Sequence, residues 1–140
     1  MKKALRLFTD GAARGNPGPA GIGVVIEDDQ GVRLRGLCRY IGTATNNRAE
    51  YLALIEGLKA VREWKPDRLE VYLDSQLVVE QLKGRYRVKN AELQPLHRMV
   101  SSLLEEFGEV EIKHVERSRN AGADALANRA IDEYKAGRRG

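Results

Sequence analysis

Two apolar runs, Ala4–Thr9 and Arg68–Leu73, each end on an aspartate, Asp10 and Asp74, and a long stretch of helical periodicity lies just before the second run. That order constrains the fold more than any other feature. A strand connected through a helix to a neighbouring strand runs parallel to it, because only a crossover returns the chain to the same edge of the sheet. The chain therefore reads as an α/β domain with a mixed sheet, and strands of common direction could bring Asp10 and Asp74 side by side.

The first run continues into DGAARGNPGPAG, Asp10–Gly21, where Gly11, Gly15, Gly18 and Gly21 with Pro17 and Pro19 predict a tight turn directly after a strand-end Asp10. Ala20–Glu27 and Gln30–Ile41 carry interrupted alternation, and EDDQG between them makes a hairpin tip with Gly31 available for positive φ. An antiparallel meander is expected, with a bulge near Gly36 and Leu37.

Thr45 or Asn46 caps the next segment, in which Tyr51, Leu54, Leu58 and Val61 recur at helical spacing. The helix is expected over Asn47–Trp64, stopping before Pro66, with Glu50 in its first turn, where a carboxylate meets the positive end of the helix. After Asp74, Ser75 starts a helix over Gln76–Leu82 that Gly84 ends. A further helix, Glu92–Phe107, has Leu93, Leu96, Val100 and Leu103 or Leu104 as a stripe for packing on the sheet. Val110–Val115 is the last strand. Ser118 or Asn120 caps a final helix, Ala121–Tyr134, with Asp124 early in it.

At 140 residues and 42% hydrophobic composition, the chain is expected to form one domain over residues 1–136 with a short flexible tail over 137–140. A net charge of +4 favours a polyanionic partner without naming one. The lone Cys38 forms no internal disulfide and belongs to a core or interstrand position. No stretch approaches the roughly 20 apolar residues of a membrane span, so no membrane partner is expected and a cytoplasmic setting is the default. A monomer is expected, since no apolar helix face is left over.

Asp10, Glu50, Asp74 and Asp124 are the candidates for chemistry. Singly, each is an ordinary strand-end or helix-start acid. Brought together they repel one another unless cations neutralise them, and the hard ions Mg²⁺ or Mn²⁺ suit an all-oxygen donor set. Two such ions about 4 Å apart activate water and stabilise both oxygens of a phosphodiester displacement. The segment GRYRVKN, with Arg85, Arg87 and Lys89 around Tyr86, is either a nucleic-acid edge or an exposed turn with solvated cations.

DGAARGNPGPAG from Asp10, TNNRAEYLAL from Thr45, YLDSQLVV from Tyr72 and ADALANRA from Ala123 together resemble type 1 ribonuclease H, in the expected order and over essentially the whole chain. The resemblance implies a ribonuclease H-like fold, a five-stranded mixed sheet with flanking helices. It implies hydrolysis of the RNA strand of an RNA–DNA hybrid with Mg²⁺ or Mn²⁺, two ions with substrate bound, leaving a 5′-phosphate and a 3′-hydroxyl. The four acids fall on the family's metal ligands. Gly11, Asn16, Asn46, Asn47 and Gln76 match groups that contact the hybrid minor groove, where the 2′-hydroxyl distinguishes RNA. Asn16 as a turn residue and Asn46 as a helix cap are the local readings of the same positions.

Two departures stand out. Many bacterial relatives insert a basic helix and loop where this chain has only Gly84–Asn90, which leaves substrate affinity to the shorter patch of Arg85, Arg87 and Lys89, to the termini or to a partner. Many relatives also carry a mobile catalytic histidine before the last acidic helix. The matching position is Arg117, with Arg119 as the alternative; an arginine holds phosphate but shuttles no proton at neutral pH. His114 belongs to the preceding strand and reads as structural. The competing functions are a hybrid-binding module with little cleavage and a broader ribonuclease that also cuts double-stranded RNA.

Overall fold

The computed structural model describes residues 3–139. The sheet has five strands: β1 (Ala4–Ala13), β2 (Gly18–Asp28), β3 (Arg33–Ala44), β4 (Arg68–Leu73) and β5 (Val110–His114). Their order is β3-β2-β1-β4-β5; β1 and β2, and β2 and β3, pair antiparallel, whereas β4 pairs parallel with both β1 and β5. The helices are α1 (Asn46–Val61), α2 (Gln76–Leu82), α3 (Gln94–Leu104) and α4 (Ala121–Arg139). The expected mixed sheet and element order are present.

Alternation along the strands decides which side chains meet which helix. Leu5, Leu7, Val71 and Leu73 point to the face covered by α1, where they join Leu54, Leu58, Val100 and Leu103 in the main core. Phe8 and Tyr72 point the other way, stack with ring centroids 4.7 Å apart, and pack with Val25 and Ala123 of α4. Removing a leucine such as Leu54 or Leu58 from water contributes about 1.5–3 kcal/mol, so the helices are held chiefly by this burial. No helix among the described residues is long and apolar enough to cross a membrane.

Several boundaries differ from expectation, each for a local reason. β1 runs on through Asp10 to Ala13 because its hairpin pairing with β2 continues to Ala13↔Ala20; Asp10 lies within the strand, and only residues 14–17 turn. The β2–β3 register shifts fall opposite Leu34 and Ile41 rather than at Gly36, whose partner Val25 is in regular register. α1 gives way to a 3₁₀ turn, Arg62–Trp64, which Lys65 ends in the left-handed conformation. α3 begins and ends two to three residues inside the expected span. α4 continues to Arg139, so residues 137–139 of the expected tail fall on its last turn, and Gly140 lies outside the described residues.

Candidate active site

The cleft forms where the β1–β4 ladder stops. Its last pair is Phe8↔Tyr72, so Asp10 and Asp74 each stand two residues beyond it, in corresponding register on parallel strands. α1 brings Glu50 to the same point. Its cap is Thr45, whose hydroxyl accepts from the Arg48 N–H at 3.2 Å. Glu50 is therefore the fifth helical residue and not a first-turn acid; its carboxylate turns into the sheet and accepts the Gly11 N–H at 3.0 Å. A Cβ at Gly11 would overlap the backbone of Ala49 and Glu50, so the glycine is what lets α1 approach β1 this closely.

Asp10, Glu50 and Asp74 each offer an oxygen, and the three oxygens lie within 4.8 Å of one another. Asp10 and Glu50 are buried and Asp74 is half-buried. Burial first, then the Glu50 carboxylate beside it, then Asp124 and Asp74, push the Asp10 carboxyl far above the ordinary carboxylate range. Burial also raises Glu50, opposed by its contacts with the Asp10 carboxyl and the Gly11 N–H. Without a cation, both shifts favour protonation of the cluster. Glu50 Oε2 is buried and accepts no hydrogen bond. A buried, unpaired carboxylate oxygen facing two further carboxylates fits a hard divalent cation, which would displace the proton and satisfy the orphan oxygen.

The cleft around these acids measures about 470 Å³ and is also lined by Gly11, Ala12, Ala13, Asn46, Asn47, Ser75, Arg117 and Asp124. Asp124 lies in the first turn of α4, at the cleft but outside the trio. Asn128 donates to its backbone carbonyl at 3.0 Å and to its Oδ1 at 3.3 Å. α4 sits close enough to bring Asp124 here because Gly23 leaves room for the Ala123 carbonyl.

Arg117 opens a 3₁₀ turn, Arg117–Asn120, and its charge helps lower the Glu50 carboxyl across the cleft. Arg119 faces the other way, its guanidinium 5.7 Å from the Tyr72 ring centroid. Of the two arginines, Arg117 is the one at the cleft. His114 Nε2 lies 3.3 Å from the Asp74 backbone carbonyl, where it braces the chain beside the site.

The asparagines tie the hairpin loop to α1. Asn16 Oδ1 accepts the Asn46 N–H, and Asn46 Oδ1 accepts the Ala13 N–H, both at 3.0 Å. Asn47 lines the cleft and also a second groove of about 530 Å³, shared with Arg85, Tyr86, Arg87, Lys89 and Leu93. Arg85 pairs with the buried Glu80 at 3.3 Å, while exposed Tyr86 stands next to it. Gln76 turns its amide to Glu80 at 3.3 Å, and its neighbour Ser75 lines the cleft instead.

Three contributors were not singled out from the sequence as site residues. Asn120, expected only as a cap, is fully buried and donates its amide to the Thr9 carbonyl at 3.0 Å and to Asp74 Oδ2 at 3.1 Å. Asn128 holds Asp124. Arg14 of the hairpin loop reaches the Asn128 side chain at 3.3 Å and pairs with Asp132 at 2.8 Å. The spacing of Asp124, Asn128 and Asp132, four residues apart on one helix face, was a visible signal for Asn128.

A family model described as reverse transcriptase-like matches residues 8–130. Ribonuclease HI of Halobacterium salinarum is 44% identical over 130 residues, spanning 92% of this chain and 65% of that protein. Its crystal structure superposes with a TM-score of 0.90 at 42% identity, over 93% of this chain and 98% of that one. The bifunctional protein Rv2228c of Mycobacterium tuberculosis is 44% identical over 124 residues, 88% of this chain but 34% of that protein. The chain thus spans less than two-thirds of the length of these two relatives. LC11-RNase H1, solved in complex with an RNA/DNA hybrid, gives a TM-score of 0.88 at 42% identity, over 93% of this chain and 98% of that one. With its strand order, its carboxylate trio and these similarities, the chain belongs to the type 1 ribonuclease H family.

Proposed function

We propose that this protein is a metal-dependent endonuclease that hydrolyses the RNA strand of RNA–DNA hybrids, leaving 5′-phosphate and 3′-hydroxyl ends. The observation that carries the reading is the trio Asp10, Glu50 and Asp74, with oxygens within 4.8 Å of one another in an open cleft. The complex of LC11-RNase H1 with an RNA/DNA hybrid supports the choice of substrate. Mg²⁺ or Mn²⁺ held there, two ions with substrate present, supplies the activated water and the charge neutralisation of an in-line displacement at phosphorus.

The residues of this chain divide the remaining work. Asp10 and Asp74 would give the closest coordination to the ions, with Glu50, oriented by the Gly11 N–H, joining them from the same trio. Asp124 supports an ion from the rim of the cleft. Arg117 offers a fixed cation to a phosphate oxygen, a role that needs no proton transfer. Asn16 and Asn46, linked to each other at the hairpin and the start of α1, face the minor groove together with Asn47. Arg85, Arg87 and Lys89 meet the phosphate backbone on the same side as Asn47, with affinity that falls as salt rises.

The test presents RNA–DNA hybrid, double-stranded RNA, single-stranded RNA and duplex DNA at equal salt with Mg²⁺ or Mn²⁺. Selective cutting of the RNA in the hybrid supports the proposal. Tight hybrid binding without cutting under either metal replaces it with a binding module, and equal cutting of double-stranded RNA replaces it with a broader ribonuclease.

A further inference from the structure

The β1–β4 ladder ends at Phe8↔Tyr72, so no backbone pairing fixes Asp10 against Asp74. One side chain bridges that gap. Asn120 gives one amide hydrogen to the Thr9 carbonyl, immediately before Asp10, and the other to Asp74 Oδ2, at 3.0 and 3.1 Å. Its own Oδ1 is buried and receives no donor. The amide is thus oriented entirely by what it gives away: one hydrogen goes to the β1 residue before Asp10 and the other to Asp74 itself. The hydrogen bond to Oδ2 sets the orientation of the Asp74 carboxylate, which contributes an oxygen to the trio.

We infer that Asn120 is a positioning residue for the metal site, tying β1 at Thr9 to Asp74 just past the end of β4 so that Asp74 stays at a fixed separation from Asp10. The inference rests on the reading of the trio as a divalent-cation site. Because Asn120 also closes the 3₁₀ turn that begins with Arg117, the same clamp anchors that arginine beside the cleft. Groups that hydrogen-bond a metal-ligating carboxylate set its orientation, and their removal typically weakens metal binding about 10–100-fold.

The test is a double-mutant cycle read without substrate. Mg²⁺ affinity is measured by titration of NMR amide shifts in the wild type, Asn120→Ala, Asp74→Asn and the double variant. Asn120→Ala is expected to weaken Mg²⁺ binding about tenfold or more, yet to cost less than about twofold in the Asp74→Asn background, because it acts through Asp74. Unchanged affinity in Asn120→Ala, or an equal loss in both backgrounds, overturns the inference. If Asn120→Ala does not fold, Asn120→Ser, which keeps one hydroxyl donor, takes its place in the cycle with the same criteria and a smaller loss. Failure of the wild type to cut hybrids would overturn the enzymatic proposal while leaving this metal-binding result standing.

Discussion

The Gly11 N–H donates to Glu50 Oε1 at 3.0 Å, across a contact between β1 and α1 so close that a Cβ on Gly11 would overlap the helix backbone. One glycine therefore sets both the distance of the helix from the sheet and the orientation of a buried carboxylate.

Gly11→Ala should displace α1 and remove that orientation together. Overpacking of this kind typically costs about 1–3 kcal/mol. We expect a fall of that size in denaturant stability, accompanied by weaker Mg²⁺ binding. A variant with wild-type stability and affinity would show that the contact has slack.

The acidic cluster makes the metal-free protein pH-sensitive. The Asp10 carboxyl is raised in the fold, so between its unfolded value of ~3.9 and its folded value the native state holds more protons than the unfolded chain, and stability falls as pH rises through this window. Asp10→Asn removes that slope. In chelator, the variant should melt at or above the wild-type temperature at pH 8 and differ less at pH 5; in excess Mg²⁺ the order should reverse, since only the wild type gains full binding energy. Parallel melting curves in chelator at both pH values would refute this account of the cluster.

On the α4-side face of the sheet, Glu70 Oε2 accepts from Lys113 Nζ at 2.6 Å and from the Tyr72 hydroxyl at 2.9 Å. The Lys113 contact, chiefly, holds the Glu70 carboxyl below its usual range, and Glu70 raises Lys113. Glu70 therefore contributes stability above its unfolded value that is lost as pH falls through its lower folded value. Lys113 contributes below its own unfolded value and loses this as pH rises through its folded one. Glu70→Gln should cost about 0.5–1 kcal/mol near neutral pH and soften the acid limb of a stability profile. An unchanged acid limb would mean that the pair is screened by solvent.

Much of this was legible in the sequence. Strand and helix periodicity foretold all five strands and their mixed pairing, because alternation and the parallel crossover leave few other arrangements. Asp10, Glu50 and Asp74 could be picked out because each follows or opens a strongly patterned segment. The extension of β1 through Gly11 was hidden because glycines read as turn signals, while here they admit α1 and α4. Asn120 was hidden for a different reason: its partners, Thr9 and Asp74, are 111 and 46 residues away in the chain, and no local pattern encodes them.

The two arginines of the RSRN turn separate the roles of cleft and sheet face. Arg117→Ala should lower kcat on hybrid substrate about tenfold or more, the scale on which positioned charges act on phosphoryl chemistry. Arg119→Ala, whose side chain lies over Tyr72, should leave kcat within about twofold. Steady-state kinetics on one labelled hybrid compares them, and equal effects would remove Arg117 from the chemistry.

The most direct measurement follows cleavage of a hybrid labelled separately on its RNA and DNA strands, against Mg²⁺ concentration, for the wild type and Asp74→Asn. The account predicts Mg²⁺-dependent cutting of the RNA strand alone, with 5′-phosphate and 3′-hydroxyl products, and loss of at least about a hundredfold in rate in Asp74→Asn. Cleavage that persists in chelator, or that survives undiminished in Asp74→Asn, would contradict it.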